Sequence, residues 1–170
     1  QAHFVVGLDP SEGMLRHAEL ESAGFGLVGG CAEALPFPTN CFDRVVCINA
    51  FHHFSDKSRF IAEAGRVLRS GGGLMTVGLD PHQGYDQWWI HDYFPPALEI
   101  DMERYLACEQ IRKLMSSRSF RRCQTIEAQH VSAKLDRAQL RSRSNWFDKN
   151  STSQLTALTE SEYTEGMRLI

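Results

Sequence analysis

Asp9 ends an apolar run, His3-Phe4-Val5-Val6-Gly7-Leu8, and is followed at once by Pro10-Ser11, a turn into a helix. A carboxylate at that corner, at the carboxyl edge of a parallel sheet, is placed to accept hydrogen bonds from the two hydroxyls of a nucleotide ribose. Two further groups could do chemistry. His52-His53 follow the apolar strand pattern Phe42 to Ile48, which stops at Asn49. Tyr85, Trp88, Trp89, His91, Tyr93 and Phe94 form a dense aromatic group just after Asp80. Such rings supply the flat apolar walls that exclude water from a substrate, or equally a core packed for stability alone.

Other chemistries lack their residues. His82 and His91, with Asp86 and Asp92 nearby, fit no zinc spacing, and the five cysteines Cys31, Cys41, Cys47, Cys108 and Cys123 contain no C-x-x-C pair, so no metal site is expected. An odd number of unpatterned cysteines also argues against a disulfide framework and suits a reducing cytoplasm. No nucleophile elbow, Walker loop or paired-carboxylate signature occurs. A net charge of -3 and a pI near 6.2 give no global field for nucleic acid. Between Arg112 and Arg143 nine Lys/Arg stand against two Asp/Glu, a run read as a solvated face. No signal peptide and no membrane span are expected from the apolar runs in this sequence.

The elements that must position these groups follow from local pattern. Ser11 caps a helix running to about Ser22, with Met14, Leu15 and Ala18 inward and Gly24 as its stop. A short strand, Phe25 to Val28, leads into Gly29-Gly30 and a loop that Pro36 and Pro38 keep irregular. Phe42 to Ile48 has the nearly continuous apolar end of a parallel strand covered on both faces. Ser55 or Asp56 caps a helix with Phe60, Ile61, Ala64, Val67 and Leu68 at helical spacing, ended by Gly71-Gly72-Gly73, and Leu74 to Leu79 is a further buried strand. Alternation of strand and helix predicts right-handed crossovers and a parallel sheet. Beyond Asp80, Ala97 to Ser117 reads as a helix, Gln124 to Val131 as a half-buried strand, and Thr159-Glu160-Ser161-Glu162 as the capping box of a last helix.

Four blocks, in order, then carry a resemblance: Val5-Val6-Gly7-Leu8-Asp9-Pro10-Ser11-Glu12-Gly13-Met14-Leu15; Gly30-Cys31-Ala32-Glu33-Ala34-Leu35-Pro36-Phe37; Phe42-Asp43-Arg44-Val45-Val46-Cys47-Ile48-Asn49-Ala50-Phe51-His52-His53-Phe54; and Arg66-Val67-Leu68-Arg69-Ser70-Gly71-Gly72-Gly73-Leu74. Together they resemble the class I S-adenosylmethionine-dependent methyltransferases of the small-molecule type, related to the ubiquinone and menaquinone biosynthesis methylases. Asp148 to Leu155 and the helix from Glu162-Tyr163 to Arg168 resemble the same subfamily less specifically.

The resemblance implies S-adenosylmethionine as cofactor and a role for each matched residue. Asp9 would hold the ribose hydroxyls, Met14 would lie on a face of the adenine, and the Ala32 N–H would meet an adenine ring nitrogen. Glu33 belongs to the same cofactor group. Cys31 occupies the position from which a carboxylate usually reads the exocyclic amine, and a thiol is a poor acceptor. The Asn49 carbonyl would hold the methionine end, Phe51 and Phe54 would wall the site, and His52 and His53 face the substrate side as candidate bases. Tyr85, Trp88, Trp89, His91 and Tyr93 would meet the acceptor.

Two parts of the family pattern have no counterpart: the glycine-rich turn after a first, central strand, and a last antiparallel strand. The expected fold is therefore α/β and Rossmann-like, a mostly parallel sheet with helices on both faces and a small helical cap, incomplete at both ends. One domain is expected over residues 1–170, with a cofactor core at 1–80, a cap and substrate region at 81–123, and a C-terminal strand and helices at 124–170. Open strand edges beside Asp9 and Asn49 predict a homo-oligomer. The expected function is methyl transfer to a small-molecule acceptor. Its rivals are a fold that has lost the cofactor and serves as a binding or dimerising module, and a nucleotide-sugar or dinucleotide oxidoreductase, which would leave the second and fourth blocks unexplained.

Overall fold

The computed structural model of the chain describes residues 4–21, 25–84, 86, 88–118, 120–129 and 144–170. These belong to two compact units, one of residues 1–77 with 114–123, the other of 78–113 with 124–170.

In the first unit, β1 (Val6–Asp9) and β2 (Gly26–Gly29) pair in parallel, from Val6 opposite Gly26 to Asp9 opposite Gly29. The crossover is α1 (Glu12–Glu21), whose start is capped by Ser11 Oγ accepting the Met14 N–H at 3.3 Å. Leu15 and Ala18 are half-buried as expected, but Met14 is 57% exposed. The strand beneath is short, and Leu15 takes the contact with it at Gly29.

The second parallel pair joins β3 (Phe42–Ile48) to β4 (Leu68–Val77) across α2 (Lys57–Val67). Asp56 caps α2 by accepting the Arg59 N–H at 2.8 Å, and Phe60, Ile61, Ala64 and Val67 form its buried stripe. Leu68 turns extended and pairs with Phe42, so the helix stops before the glycines and the strand begins well before the expected Leu74. A register shift between Phe42 and Arg44 absorbs the extra residues.

Among the described residues β1 and β3 do not pair, so the parallel sheet is two separate two-stranded pieces, in line with the open edges expected beside Asp9 and Asn49. One expectation needs correction, since β3 is not covered on both faces: Cys47 is buried, yet Val46 and Ile48 are 51% and 60% exposed, with Met75 of β4 beside Val46 at 50%. An apolar strand pattern reports a tendency to burial and cannot say which element supplies it.

The second unit is helical among the described residues: α3 (Trp89–Tyr93), α4 (Pro95–Arg104), α5 (Cys108–Ser117), which runs on into the residues of the first unit, α6 (Ser153–Ala157) and α7 (Glu160–Leu169). Ile90, Phe94, Ala97, Leu155 and Leu158 make its core, with Trp88, Trp89, Tyr93 and Tyr163 packed against it. The helix expected over 97–117 is two helices. Tyr105 is extended and ends α4, and the Cys108 N–H at the start of α5 is taken by Asp80 Oδ2 at 2.8 Å. The strand expected over 124–131 is absent from 124–129, and its last residues lie outside the described ones. The capping box forms as expected, Thr159 and Glu162 bonding reciprocally.

Candidate cofactor site

The register of β1 on β2 sets Asp9 beside Gly29, and the Gly30 N–H donates to the Asp9 carbonyl at 3.2 Å. The acid at the end of one strand is thereby adjacent to the loop that leaves the end of the next. Gly30 suits this approach. A Cβ there would lie 3.1 Å from both Leu8 Cδ1 and Pro36 Cδ, so these side chains would have to give by a few tenths of an ångström.

Asp9 Oδ1 accepts the Ser11 N–H at 2.8 Å, which orients the carboxylate, while Oδ2 accepts no hydrogen bond from the described residues. One oxygen fixed and one open is a fit for a ribose hydroxyl. Met14, exposed rather than packed, has an apolar side chain available to a flat ring. Cys31 is exposed and Ala32 buried, a tight turn closing between them and Ala34, whose N–H donates to the Cys31 carbonyl at 3.1 Å.

Glu33 has other partners. Its Oε1 accepts from the Ser55 N–H at 2.9 Å, the Ser55 hydroxyl at 3.0 Å and the Asp56 N–H at 3.4 Å, at the entrance to α2. Arg59 Nε donates to the Glu33 carbonyl at 2.8 Å. Burial draws the carboxyl upward, but the hydrogen bonds from its own backbone and from Ser55 and Asp56 outweigh it and hold Glu33 below the usual glutamate value. Glu33 thus ties the loop to the chain that follows Asn49.

Asn49 ends β3 in the left-handed region with φ 50°, a conformation asparagine tolerates better than most residues, and its N–H donates to Val77 at 2.9 Å. The turn Phe51–His53 comes next. Phe51 is buried and packs edge-on to Phe54 and Phe60, with centroids 5.9 Å away in each case, so these rings belong to an aromatic cluster on α2. His52 is buried and His53 exposed, their rings 3.9 Å apart. Lys57 Nζ donates to the carbonyls of His52 and Phe54, at 3.4 and 3.1 Å.

The first unit therefore brings Asp9, Cys31 and Ala32 together and connects them through Glu33 to the segment after Asn49. Trp88, Trp89, His91 and Tyr93 all lie in the second unit, and Tyr85 is outside the described residues. Trp89 stacks with Trp146 and meets Phe147 edge-on at 4.9 Å. His91 Nε2 lies 3.0 Å from Oδ2 of the fully buried Asp101, whose Oδ1 accepts from Gln154 Nε2 at 2.9 Å. Burial, with the Asp101 charge, pushes the Tyr105 phenol up to about 12. No group of His, Cys, Asp or Glu among the described residues could hold a metal ion, and none of their helices is long and apolar enough to cross a membrane.

Sequence reasoning missed Asp101, an acid on the apolar side of α4, and the ion pair of Arg66 with Glu63 on α2. The second had a visible signal, opposite charges three apart on one helix face.

Residues 1–76 match the methyltransferase domain family. The chain is 34% identical over 112 residues to the phthiotriol/phenolphthiotriol dimycocerosates methyltransferase of Mycobacterium leprae, covering 66% of this chain and 41% of that one. It is 32% identical over 126 residues to the ubiquinone/menaquinone biosynthesis C-methyltransferase of a Marinomonas species, covering 64% and 49%. The chain spans less than half the length of both curated relatives. In fold it is similar to a solved structure from Anabaena variabilis, assigned as a methyltransferase of an antibiotic biosynthesis pathway, with a TM-score of 0.73 and 24% identity over 98% of this chain and 68% of that one. S-adenosylmethionine is the cofactor these likenesses indicate. Over residues 1–76 the chain is thus similar to the methyltransferase domain family, in keeping with its resemblance to the class I S-adenosylmethionine-dependent methyltransferases.

Proposed function

We propose that this chain serves the transfer of a methyl group from S-adenosylmethionine to a small-molecule acceptor. The observation that carries the reading is the placement of Asp9, with one carboxylate oxygen open, directly beside the loop bearing Cys31 and Ala32. Bound there, the cofactor supplies an electrophilic methyl on a positively charged sulfur. Asp9 Oδ2 accepts from a ribose hydroxyl, the Ala32 N–H donates to an adenine ring nitrogen, and the exposed Met14 side chain lies over the ring. The Asn49 carbonyl holds the methionine end. Phe51 and Phe54 would keep water from that side, and His53, the exposed member of the pair, would take a proton from the acceptor. Most of the rate comes from alignment, which makes an in-line displacement effectively unimolecular.

The similarity to a phthiotriol/phenolphthiotriol dimycocerosates methyltransferase and to a ubiquinone/menaquinone biosynthesis C-methyltransferase favours an apolar acceptor bearing a hydroxyl or a quinol ring. A second reading is a binding or dimerising module, favoured by β1 and β3 each pairing on one side only among the described residues and by the exposed Val46, Ile48 and Met75, which a second copy could cover. Incubation with methyl-tritiated S-adenosylmethionine and a panel of reduced quinones and long-chain phenols separates the two. Transfer of label to an acceptor is expected. A folded chain that sediments as a dimer, binds no S-adenosylhomocysteine and transfers no label would establish the module instead.

A further inference from the structure

The loop from Cys31 to Cys41 is fastened along the length of α2, and two side chains do most of the fastening. Arg66 spreads its guanidinium over four acceptors: Nη1 donates to the Phe37 carbonyl at 2.7 Å, Nη2 to the Leu35 carbonyl at 2.9 Å, and Nε and Nη2 to the two oxygens of Glu63 at 2.8 and 2.7 Å. Glu63 Oε2 in turn accepts the Leu35 N–H at 2.9 Å. Both backbone groups of Leu35 are thus held by one ion pair, and Pro36, with its fixed φ, joins the two carbonyls that Arg66 grips. The Asn40 N–H donates to the Arg66 carbonyl itself at 3.0 Å, and Cys41 to Val67 at 2.8 Å.

We propose that Glu63 and Arg66 are positioning residues for the cofactor: gripping Leu35 and Phe37, they set where the Cys31–Ala32 turn presents its backbone to the adenine. The inference rests on the reading of Ala32 as an adenine contact. The turn has three anchors, Gly30 on the Asp9 carbonyl, Glu33 on Ser55, Asp56 and Arg59, and Leu35 on the ion pair. Loosening the last lets the turn pivot about Glu33 without unfolding α2, whose apolar stripe includes neither Glu63 nor Arg66. Planar, bidentate geometry is essential, since a lysine cannot span a carboxylate and two carbonyls at once.

The test uses this chain and its Arg66→Lys, Arg66→Met and Glu63→Gln variants, titrated with S-adenosylhomocysteine and with S-inosylhomocysteine. Adenine offers an acceptor at N1 to the Ala32 N–H, whereas hypoxanthine presents a donor there, so the ratio of the two affinities reports the placement of the turn. The parent should prefer the adenosyl ligand by about tenfold or more, as expected for one mismatched hydrogen bond. Arg66→Met should bind S-adenosylhomocysteine about tenfold more weakly and lose most of the preference, with Arg66→Lys intermediate. Folded variants that keep the parent's affinity and its preference, whatever their melting temperatures, overturn the positioning role while leaving the cofactor reading standing. A parent that binds neither ligand overturns both.

Discussion

His91 Nε2 faces Asp101 Oδ2 across 3.0 Å, and the fully buried carboxylate gives its other oxygen to Gln154 at 2.9 Å. One acid thereby links α3, α4 and α6. Replacing it by alanine leaves a histidine nitrogen and an amide without their buried acceptor, so Asp101→Ala should lower unfolding stability by about 3 kcal/mol. Asp101→Asn, which can still accept from Gln154, should cost about half as much. Urea unfolding of the two variants checks this, and equal midpoints for both and the parent would remove the network from the stability of the unit.

Gly166 of α7 lies against α3, where an added Cβ would be 2.8 Å from the Tyr93 carbonyl and closer still to the Phe94 ring. In an open helix Gly→Ala stabilises by about 1 kcal/mol. Here overpacking reverses the sign, and Gly166→Ala should destabilise by about 1 to 3 kcal/mol or more. A raised melting temperature would show that α7 docks otherwise.

The local features of this fold were legible in the sequence, and the non-local ones were not. Asp56 and Thr159 announce helix starts because a cap needs only the next three residues. Asp9 and Asn49 are readable as strand ends because the apolar runs stop there. The break between α4 and α5 depends on Asp80, far back in the chain, receiving the Cys108 N–H. Likewise Glu33 reads as a loop acid beside the adenine contact, yet its carboxylate is bonded to Ser55 and Asp56 at the start of α2. Met14 and Leu15 are both apolar on one turn, and only packing decides that Leu15 goes in and Met14 stays out.

Cysteine labelling reads the site from outside. Cys31 is exposed, whereas burial pushes the Cys47 thiol up to about 11. Iodoacetamide at pH 8 should modify Cys31 well before Cys47, and S-adenosylhomocysteine should slow the reaction at Cys31 alone. Peptide mapping by mass spectrometry gives both rates; indifference of Cys31 to the ligand would place the adenine elsewhere.

Glu63 sets an acid limit on the loop. Its hydrogen bond from Arg66, followed by the Arg66 charge and the Leu35 N–H, outweighs burial and holds the carboxyl below its usual 4.5. A lowered folded value means that the stabilisation is complete above pH 4.5 and is lost as pH falls through the lower folded value. Amide exchange at Leu35 should therefore accelerate in that acid window in the parent, and be fast and flat with pH, once base catalysis is divided out, in Glu63→Gln. A parent amide with no acid transition would contradict the ion pair's hold on the loop.

The central claim is that Asp9 receives the cofactor's ribose, and calorimetric titration of S-adenosylhomocysteine into the chain and its Asp9→Ala variant tests it most directly. Asp9 Oδ1 is engaged by Ser11 and Oδ2 is open, so the variant should lose one or two hydrogen bonds to a charged acceptor, about 1.5 to 3 kcal/mol of binding, with its circular dichroism unchanged. Equal affinity in the variant and the parent, or no heat of binding in a folded parent, would contradict the account.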